Sequence, residues 1–247
     1  MTKAEIQFVR SLSDKRTRDS EQLFVAEGVK LIDEIRQSKA KIRQIYTTRQ
    51  DIKGSNVTLV ERRDMERISM LKTPSDCLAI VEQPRHKLSN EALTSSLMLA
   101  LDGVQNPGNM GTIVRLADWF GVEDILCSKE CADIYNPKVV QATMGALLRV
   151  RVHYVDNLAK ILSEAASSGM PIYGTLLDGN NIYSEKLTNR GIIVMGNEGQ
   201  GVTEECRKTL THKLFIPPYP ADRPTSESLN VAMATGIILA EFRRGAK

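Results

Sequence analysis

The chain lacks the long apolar run that a transmembrane helix requires. None of its apolar stretches reaches the roughly 20 residues needed to cross a bilayer, and its start, Met1-Thr-Lys-Ala-Glu-Ile6, lacks the apolar segment of a secretory signal. We therefore expect a cytoplasmic protein with no membrane partner. Hydrophobic residues make up 42% and charged residues 26% of the 247 residues, which predicts a folded chain.

Cysteine and histidine are scarce. Four cysteines do not make a disulfide framework in a chain of this size. Cys127 and Cys131 could be half of a metal site, but no second Cys or His pair lies at ligand spacing. The three histidines are isolated from one another. We therefore expect reduced, structural cysteines and no bound metal.

Two common nucleotide-binding fingerprints are also missing. The chain has no Gly-x-x-x-x-Gly-Lys-Ser/Thr phosphate loop. Gly196–Gly201 reads Gly-Asn-Glu-Gly-Gln-Gly, which reverses the glycine order of the Rossmann fingerprint and comes late in the chain. No acidic partner follows the first strand-like run of the second half. These absences disfavour a nucleotide-dependent oxidoreductase.

Three polar, glycine-containing or amide-containing segments follow strand-like runs in the second half of the chain. They are Asn106–Arg115 after 97–101, Gly196–Gly201 after 191–195, and Ser228–Val231 after 213–216. Polar residues and glycines at strand ends are where α/β proteins bring their backbone close to a small ligand. The sequence therefore predicts one composite pocket built from three strand ends.

Each segment also predicts a local structure. Pro107 and Gly108 indicate a tight turn, and the helix expected over 109–120 would start with unpaired backbone N–H groups. Arg115 lies six residues into that helix and is expected to project back towards the turn. Ser228 is the expected N-cap of a last helix over 228–243, which places Asn230 in an early turn, where a buried amide needs partners.

The chain reads as two α/β parts joined by a polar linker. Residues 1–88 alternate helix-like and strand-like segments, residues 89–96 are polar, and residues 97–247 repeat a strand-then-helix pattern that predicts a mainly parallel sheet. Residues 1–90 contain 18 Lys/Arg against 13 Asp/Glu, whereas the remainder contains 15 against 17. This asymmetry fits a polyanion-binding module beside a catalytic one, and a merely solvated surface explains it equally well.

The last helix is apolar nearly all the way round from Leu229 to Phe242. Such a helix is buried on more than one side. It is covered either by its own domain or by a second subunit, and we favour the second interpretation.

Together these segments resemble the SpoU (TrmH-like) family of RNA ribose 2'-O-methyltransferases. The resemblance covers the chain from about Leu97 to Glu241 and includes all three family motifs in order. The N-terminal part is similar to the family's substrate-binding domain, through Phe24–Gly28 with Lys30 and through Lys72–Pro74 with 78–79. The resemblance implies an α/β fold with a deep trefoil knot of the SPOUT type in its C-terminal parallel-sheet domain, and a small N-terminal α/β domain like certain ribosomal proteins.

The resemblance also implies a cofactor and a set of site residues. The cofactor is S-adenosyl-L-methionine, held within the knot. The positions that match cofactor-binding residues are Thr175, Leu176, Gly196, Asn197, Gly201, Ile216 and Leu229. The positions that match the catalytic set are Asn106, Arg115, Glu198, Ser228 and Asn230.

The implied reaction is in-line transfer of a methyl group from a sulfonium to a ribose hydroxyl. Arg115 is the base that the family resemblance suggests, but a guanidinium holds its proton very tightly. Arg115 therefore either accepts the proton with help from a phosphate or is a fixed cation that stabilises the developing oxyanion. Glu198 is expected to orient Arg115 or Asn106, and Ser228 and Asn230 to position the ribose.

The resemblance implies an RNA substrate and a homodimer. We expect ribosomal RNA, with transfer RNA or a non-catalytic RNA-binding protein of the same fold as alternatives. The presence of the catalytic set disfavours the non-catalytic alternative. The residues expected to grip RNA phosphates are Lys15, Arg16 and Arg18, with Arg62, Arg63 and Arg67 as possible additions.

Residues 218–227 depart from the family pattern. The segment is several residues longer than the family's short loop and lacks its glycine. Tyr219 and Arg223 either reach RNA or belong to a surface excursion, and from the sequence we favour the surface excursion.

Overall fold

The protein's structure is a computed structural model in which residues 1–220, 226 and 228–244 are described. The helices of this described part are α1 (Lys3–Ser11), α2 (Lys15–Glu21), α3 (Val29–Gln37), α4 (Arg62–Ile68), α5 (Asn90–Ser95), α6 (Pro107–Trp119), α7 (Pro137–Thr143), α8 (Leu158–Ser167), α9 (Glu204–Arg207) and α10 (Val231–Arg243). Its strands are β1 (Leu23–Glu27), β2 (Ile42–Thr47), β3 (Val57–Leu59), β4 (Cys77–Glu82), β5 (Leu97–Asp102), β6 (Asp124–Ser128), β7 (Arg151–Val155), β8 (Ile172–Asn181), β9 (Gly191–Gly196) and β10 (His212–Phe215). Each of these helices is too short or too polar to cross a bilayer.

The chain divides into two compact units. The first contains Met1–Arg85 and Asp133–Leu148, and the second contains His86–Ala132 and Arg149–Lys247. The predicted linker over 89–96 contains α5, which Ser89 caps and in which Ala92 is buried. The predicted domain boundaries stay a prediction, and the structure adds that a segment from the middle of the chain packs with the first unit.

The first unit is built on a four-stranded mixed sheet in the order β1-β4-β2-β3. The β1–β4 and β4–β2 pairs are antiparallel, and β2–β3 is parallel. Strand β1 is buried along its whole length, and β4 is buried except at Glu82. Because both read as apolar runs, the sequence predicts these two strands correctly.

Helix α2 was not expected, because its sequence is polar and has no apolar stripe. Asp14 caps it by accepting hydrogen bonds from the backbone N–H groups of Arg16 and Thr17. The prediction that Arg18 grips RNA is wrong, because this side chain is only 1% exposed. Its guanidinium donates to the carbonyl oxygens of Leu12 and Ser13, at 2.9 and 2.7 Å.

The same guanidinium forms an ion pair with Asp133, at 2.6 Å between Nη2 and Oδ2. Arg18 thereby satisfies the last carbonyls near the end of α1 and anchors the segment Asp133–Leu148 within the first unit. Nearby, the ring of Tyr135 lies 5.0 Å from that of Phe24, and α7 packs on β1. A buried cation with a full set of acceptors is a structural residue.

The second unit is built on a sheet that has six strands among the described residues, in the order β10-β8-β9-β5-β6-β7. All five neighbouring pairs are parallel. The prediction of an α/β protein with a mainly parallel sheet is therefore confirmed. Strands β5 and β6 are buried throughout, as expected for strands covered by helices on both faces.

The last helix starts two residues later than expected. Its N-cap is Asn230, and Ser228 lies outside the helix. One face of α10, which includes Val231, Ile238 and Phe242, is buried. Met233 on another face is 63% exposed. Within the single chain, α10 is therefore covered on one side only.

We predict that Arg18→Met destabilises the protein by about 3–5 kcal/mol, because it leaves the Asp133 carboxylate and two carbonyl oxygens without their buried partner. Urea unfolding measures this free energy. Arg16→Met is the matched control, because Arg16 is exposed on the same helix, and we expect a change within about 0.5 kcal/mol. Equal losses in the two variants would contradict the structural role of Arg18.

Candidate functional site

The three polar segments lie at one edge of the parallel sheet. Strands β5, β9 and β10 run in the same direction, so their carboxyl ends meet at the same edge. Asn106 follows β5, the loop of residues 197–201 follows β9, and Ile216 follows β10. The sheet topology therefore accounts for the convergence of the first two segments, and a hydrogen bond from Asn230 to Asn109 brings the third segment, Ser228–Val231, to the same place.

Asn106 is the N-cap of α6, and Pro107 is the first residue of the helix. The Asn106 Oδ1 atom accepts hydrogen bonds from the backbone N–H groups of Gly108 and Asn109, at 2.8 and 3.1 Å. The expectation of unpaired donors at this helix start is wrong for these two groups, because the cap already satisfies them. The side-chain oxygen of Asn106 is committed to the helix.

Glu198 joins the second segment to the first. Its Oε1 atom accepts a hydrogen bond from the Asn109 side-chain amide, Nδ2, at 2.9 Å. The same oxygen accepts a longer hydrogen bond from the backbone N–H of Asn106, at 3.3 Å. Glu198 therefore orients Asn109, and it also contacts Asn106, as expected, although through the backbone.

Asn230 joins the third segment to the same centre. Its Oδ1 atom caps α10 by accepting from the N–H groups of Ala232 and Met233. Its Nδ2 atom donates to Asn109 Oδ1 at 3.0 Å. The amide of Asn230 thus has hydrogen-bond partners, as expected, but the prediction that it is buried within the helix is wrong, because Asn230 is exposed and caps the helix.

The direction of these hydrogen bonds follows from Glu198. An ionised carboxylate can only accept, so Asn109 must turn its amino group to Glu198 and its carbonyl to Asn230. Burial alone would raise the pKa of Glu198, but hydrogen bonds from Asn109 and from backbone N–H groups outweigh it and hold the pKa below its usual value. The carboxylate therefore stays ionised at neutral pH and is a weak base.

The loop after β9 is closed on itself by Asn197. The backbones of Asn197 and Gly201 exchange two hydrogen bonds of 2.9 Å. Asn197 Oδ1 accepts from the N–H groups of Gly199 and Gln200, and its Nδ2 donates to the carbonyl oxygen of Gly103 at 2.7 Å. Asn197 is therefore a residue that shapes the loop and ties it to the end of β5.

Glycine is required at position 196 by this closure. A Cβ atom on Gly196 would overlap the backbone of Gly201 and Val202. Gly201 itself has a φ of +72°, in the left-handed region that favours glycine. Both glycines are thus explained by the shape of the loop.

Arg115 lies farther along α6 than the sequence suggested. Because α6 begins at Pro107, Arg115 is in its third turn, about 12 Å along the axis from the first residue. The side chain is exposed, and it makes no hydrogen bond or ion pair with another residue of the described ranges. Its guanidinium is therefore available to a ligand, and Glu198 does not orient it directly.

The predicted cofactor residues line the same edge. Thr175 Oγ1 donates to the carbonyl oxygen of Val194 at 3.1 Å, and Leu176 is buried on the same strand. The backbone groups of Ile216 and Leu229 make no hydrogen bond to another described residue, so they are available to a ligand. Ser228 and Leu229 are exposed just before the Asn230 cap. Arg223 lies outside the described residues, as does most of the longer loop.

The predicted RNA-gripping residues lie in the first unit and divide into two groups. Lys15 and Arg16 are exposed on α2, and Lys15 pairs with Asp19 at 2.9 Å. Arg18 is buried, as described above. Of the added arginines, Arg62 and Arg67 are engaged by acidic neighbours, whereas Arg63 is exposed.

Asn109 is the site residue that the sequence analysis missed. It is the only side chain described here that bonds both Glu198 and Asn230. Its signal was its position three residues after the cap Asn106, where a polar side chain lies beside the start of the helix. Among the described residues, no group of three or more His, Cys, Asp or Glu side chains is placed to hold a metal.

An ionised carboxylate and two asparagines connected to it thus lie at the carboxyl edge of a parallel sheet, where α/β proteins bind small ligands. Residues 96–240 match the SpoU rRNA Methylase family model, and residues 3–79 match the MRM3-like substrate binding domain. The chain belongs to the SpoU rRNA methylase family.

Individual relatives agree with this assignment. The chain is 27% identical over 241 residues to the 23S rRNA (guanosine(2553)-2'-O)-methyltransferase RlmP of Bacillus subtilis, covering 95% of this chain and 94% of that protein. A structure from Porphyromonas gingivalis assigned to the TrmH family of RNA methyltransferases is 37% identical, with a TM-score of 0.88 and coverage of 99% and 98%. An AdoMet-bound rRNA methyltransferase from Sinorhizobium meliloti is 27% identical, with a TM-score of 0.88 and coverage of 100% and 97%.

We predict that Asn109→Asp makes stability depend on pH between 7 and 5. In the native protein the pKa of Glu198 is lowered, so the ionised carboxylate stabilises the fold. This stabilisation is fully present above the pKa of an unfolded Glu, near 4.3, and is lost only as the pH falls below that value. In the variant two carboxylates share the site, and the pKa of one rises above its unfolded value. The variant is then less stable at pH 7, and the deficit shrinks as the pH falls to 5.

Thermal unfolding at the two pH values measures this effect. We expect the difference in Tm from the native protein to shrink by up to about 2–4 °C, which corresponds to about one pKa unit. Asn109→Ala is the control, because it removes the hydrogen bond that lowers the pKa of Glu198 without adding a second carboxylate, and its deficit should change less with pH than that of Asn109→Asp. An Asn109→Asp deficit that is the same at both pH values would contradict the contact with Glu198.

Proposed function

We propose that this protein transfers a methyl group from S-adenosyl-L-methionine to the 2'-hydroxyl of a ribose in ribosomal RNA. The observation that carries the proposal is the hydrogen-bonded connection Glu198–Asn109–Asn230, which joins all three segments of the site. In a chain of the SpoU family, this connection indicates an assembled site. The relatives named above as rRNA methyltransferases support the same reaction and substrate class.

The donor set at the sheet edge fits S-adenosyl-L-methionine. Its adenine and its methionine part both need hydrogen-bonding groups, and the backbone of Ile216 and Leu229 can supply them. Thr175 and Leu176 would line the pocket, with Gly196, Asn197 and Gly201 shaping its wall. When bound, the cofactor supplies an electrophilic methyl group on a sulfonium.

Arg115 is the residue that we assign to the reacting ribose. Its guanidinium is free of protein partners among the described residues, so its positive charge stabilises negative charge as it develops on the ribose oxygen. The bound donor would supply the methyl group to the ribose oxygen, and the hydroxyl proton would leave to solvent. Glu198 does not take the proton, because its pKa is held low.

The asparagines and Ser228 position the groups around the ribose. Asn109 is fixed by bonds on both sides of its amide, and Asn230 holds the start of α10 against it. Ser228 is exposed two residues before that cap and would contact the ribose. Asn106 acts through the helix that it caps, which carries Arg115.

We propose ribosomal RNA as the substrate in preference to transfer RNA. The match of residues 3–79 to a substrate binding domain supports a separate RNA-binding unit. Lys15 and Arg16 are exposed there and would contact phosphates, which adds affinity without sequence preference. The cytoplasmic location expected from the sequence stays a prediction.

We propose that two copies pair through α6 and α10. Gly236 of α10 lies against Leu116 of α6, so the two helices form one surface. That surface exposes Trp119 (83%) and Met233 (63%). Large exposed apolar side chains on adjacent helices are typical of an interface. Light scattering that gives a monomer mass at working concentration would exclude this pairing.

We propose that the C-terminal part of the second unit forms the family's trefoil knot. The chain passes from β9 over β8 to reach β10, and α10 then returns to pack on α6.

We predict that Arg115→Lys binds RNA and S-adenosyl-L-methionine normally but slows methyl transfer about 100- to 1,000-fold, because an ammonium cannot reproduce the planar fork of the guanidinium. The measurement is a single-turnover assay with labelled methyl donor and unmodified 23S rRNA, with transfer RNA as a parallel substrate. Arg190→Lys is the matched control. Arg190 is exposed, and among the described residues its side chain donates to the Thr94 carbonyl alone, so the rate of methyl transfer should not change in this variant.

Near-native transfer by Arg115→Lys would contradict the role of Arg115. Methylation of transfer RNA alone by the native protein would contradict the choice of substrate. Binding of RNA without methylation of either would contradict the proposed reaction itself.

A further inference from the structure

Tyr219 is an aromatic side chain that the protein leaves almost wholly in solvent. It is 97% exposed. By contrast, Tyr173 is 1% exposed and packs edge-on against Phe242, with ring centroids 4.9 Å apart. An aromatic ring contributes little to stability when it is exposed, so its place in the fold does not explain Tyr219.

The backbone around Tyr219 is stiff. The sequence reads Ile216-Pro-Pro-Tyr-Pro220. Each proline fixes its own φ near −65°, and each restricts the residue before it to extended conformations. Ile216, Pro217, Pro218 and Tyr219 are therefore all restricted. A ring presented on such a segment loses little conformational freedom on binding, which favours a recognition role.

Tyr219 lies at the edge of the sheet that carries the site. It is four residues beyond the end of β10, whose carboxyl end shares that edge with β5 and β9. Four residues of extended chain span at most about 14 Å. A ribose placed at this edge carries its own base and those of its neighbours within such a distance.

We propose that Tyr219 stacks on a nucleobase of the RNA next to the ribose that is methylated. This inference rests on the proposed function and adds a residue that holds the substrate. Every base has a flat apolar face, and sequence-specific or loop RNA is commonly held by stacking on aromatic side chains. The exposed ring of Tyr219, held on the stiff segment 216–220, supplies a flat face on which a base can stack. The Tyr219 hydroxyl is not needed for this contact.

The test compares Tyr219→Ala with Tyr219→Phe. We expect Tyr219→Ala to raise the KM for RNA about 10- to 100-fold, which is the range found when a stacking aromatic is removed, with a smaller change in kcat at saturating RNA. Tyr219→Phe keeps the ring and should restore the native KM. The affinity for S-adenosyl-L-methionine, measured by calorimetry without RNA, should be the same in all three proteins.

Tyr154→Ala is the matched control. Tyr154 is 40% exposed, but it lies on β7, which is the outermost strand on the other side of the sheet from β10. Five strand spacings separate the two strands, or about 24 Å. Its removal should leave the KM for RNA unchanged.

Four results would overturn the inference. An unchanged KM in Tyr219→Ala excludes a contact with RNA, and an equal loss in Tyr219→Phe shows that the hydroxyl and not the ring is used. A weaker affinity for S-adenosyl-L-methionine assigns the residue to the cofactor pocket. If Tyr219→Ala changes the mass of the protein in solution but keeps the native affinity for RNA, Tyr219 belongs to a contact between protein molecules. Failure of the proposed function is separate, because then the native protein methylates no RNA.

Discussion

The carboxylate of Glu198 is the group on which the rest of the site depends. It is a fixed acceptor beside Asn109, whose amide could be turned either way, whereas Asn106 and Asn230 are oriented by the helix starts that they cap. With Glu198 ionised, Asn109 has one orientation, and Asn230 then has one partner for its amino group. A single charge, held in its ionised form by the hydrogen bonds that it accepts, thus sets the geometry of three chain segments.

The helix ends of the site are closed by the protein itself. Asn106 and Asn230 cap α6 and α10 with their side-chain oxygens, so the backbone donors that they bond at those helix starts are not free for an anion. Positive potential at the site is therefore supplied by a side chain, and Arg115 is exposed without a partner among the described residues. Asn106 and Asn230 therefore build the site, whereas Arg115 is the residue that would stabilise the developing negative charge.

The sequence predicted the elements that have a strong periodic or apolar signal. Strands β1, β4, β5 and β9 are continuous apolar runs, and the parallel sheet follows from their alternation with helices. Helix α2 was missed because its residues are polar and its one buried side chain is an arginine. Burial of a cation depends on acceptors that come from elsewhere, here Asp133, and no local pattern contains them.

The candidate site was predicted by segment more reliably than by residue. The choice between Ser228 and Asn230 as cap, and between Asn106 and Asn109 as the central amide, depends on which side chain faces which strand end. Those facts are set by tertiary contacts between segments about 90 to 120 residues apart. Tyr219 was interpreted as part of a surface excursion because the exposure of its ring is not visible from residue types, although the prolines on both sides of it are.

The most direct test of this account is a double-mutant cycle between Glu198→Gln and Asn230→Ser, read out as the single-turnover rate of methyl transfer. Serine keeps the N-cap of α10 and removes only the amino group that bonds Asn109. Because Glu198 and Asn230 are connected through Asn109, we expect the two losses to be non-additive by at least about fivefold, or about 1 kcal/mol. Strictly additive losses would show that the two residues act independently and would contradict the proposed connection.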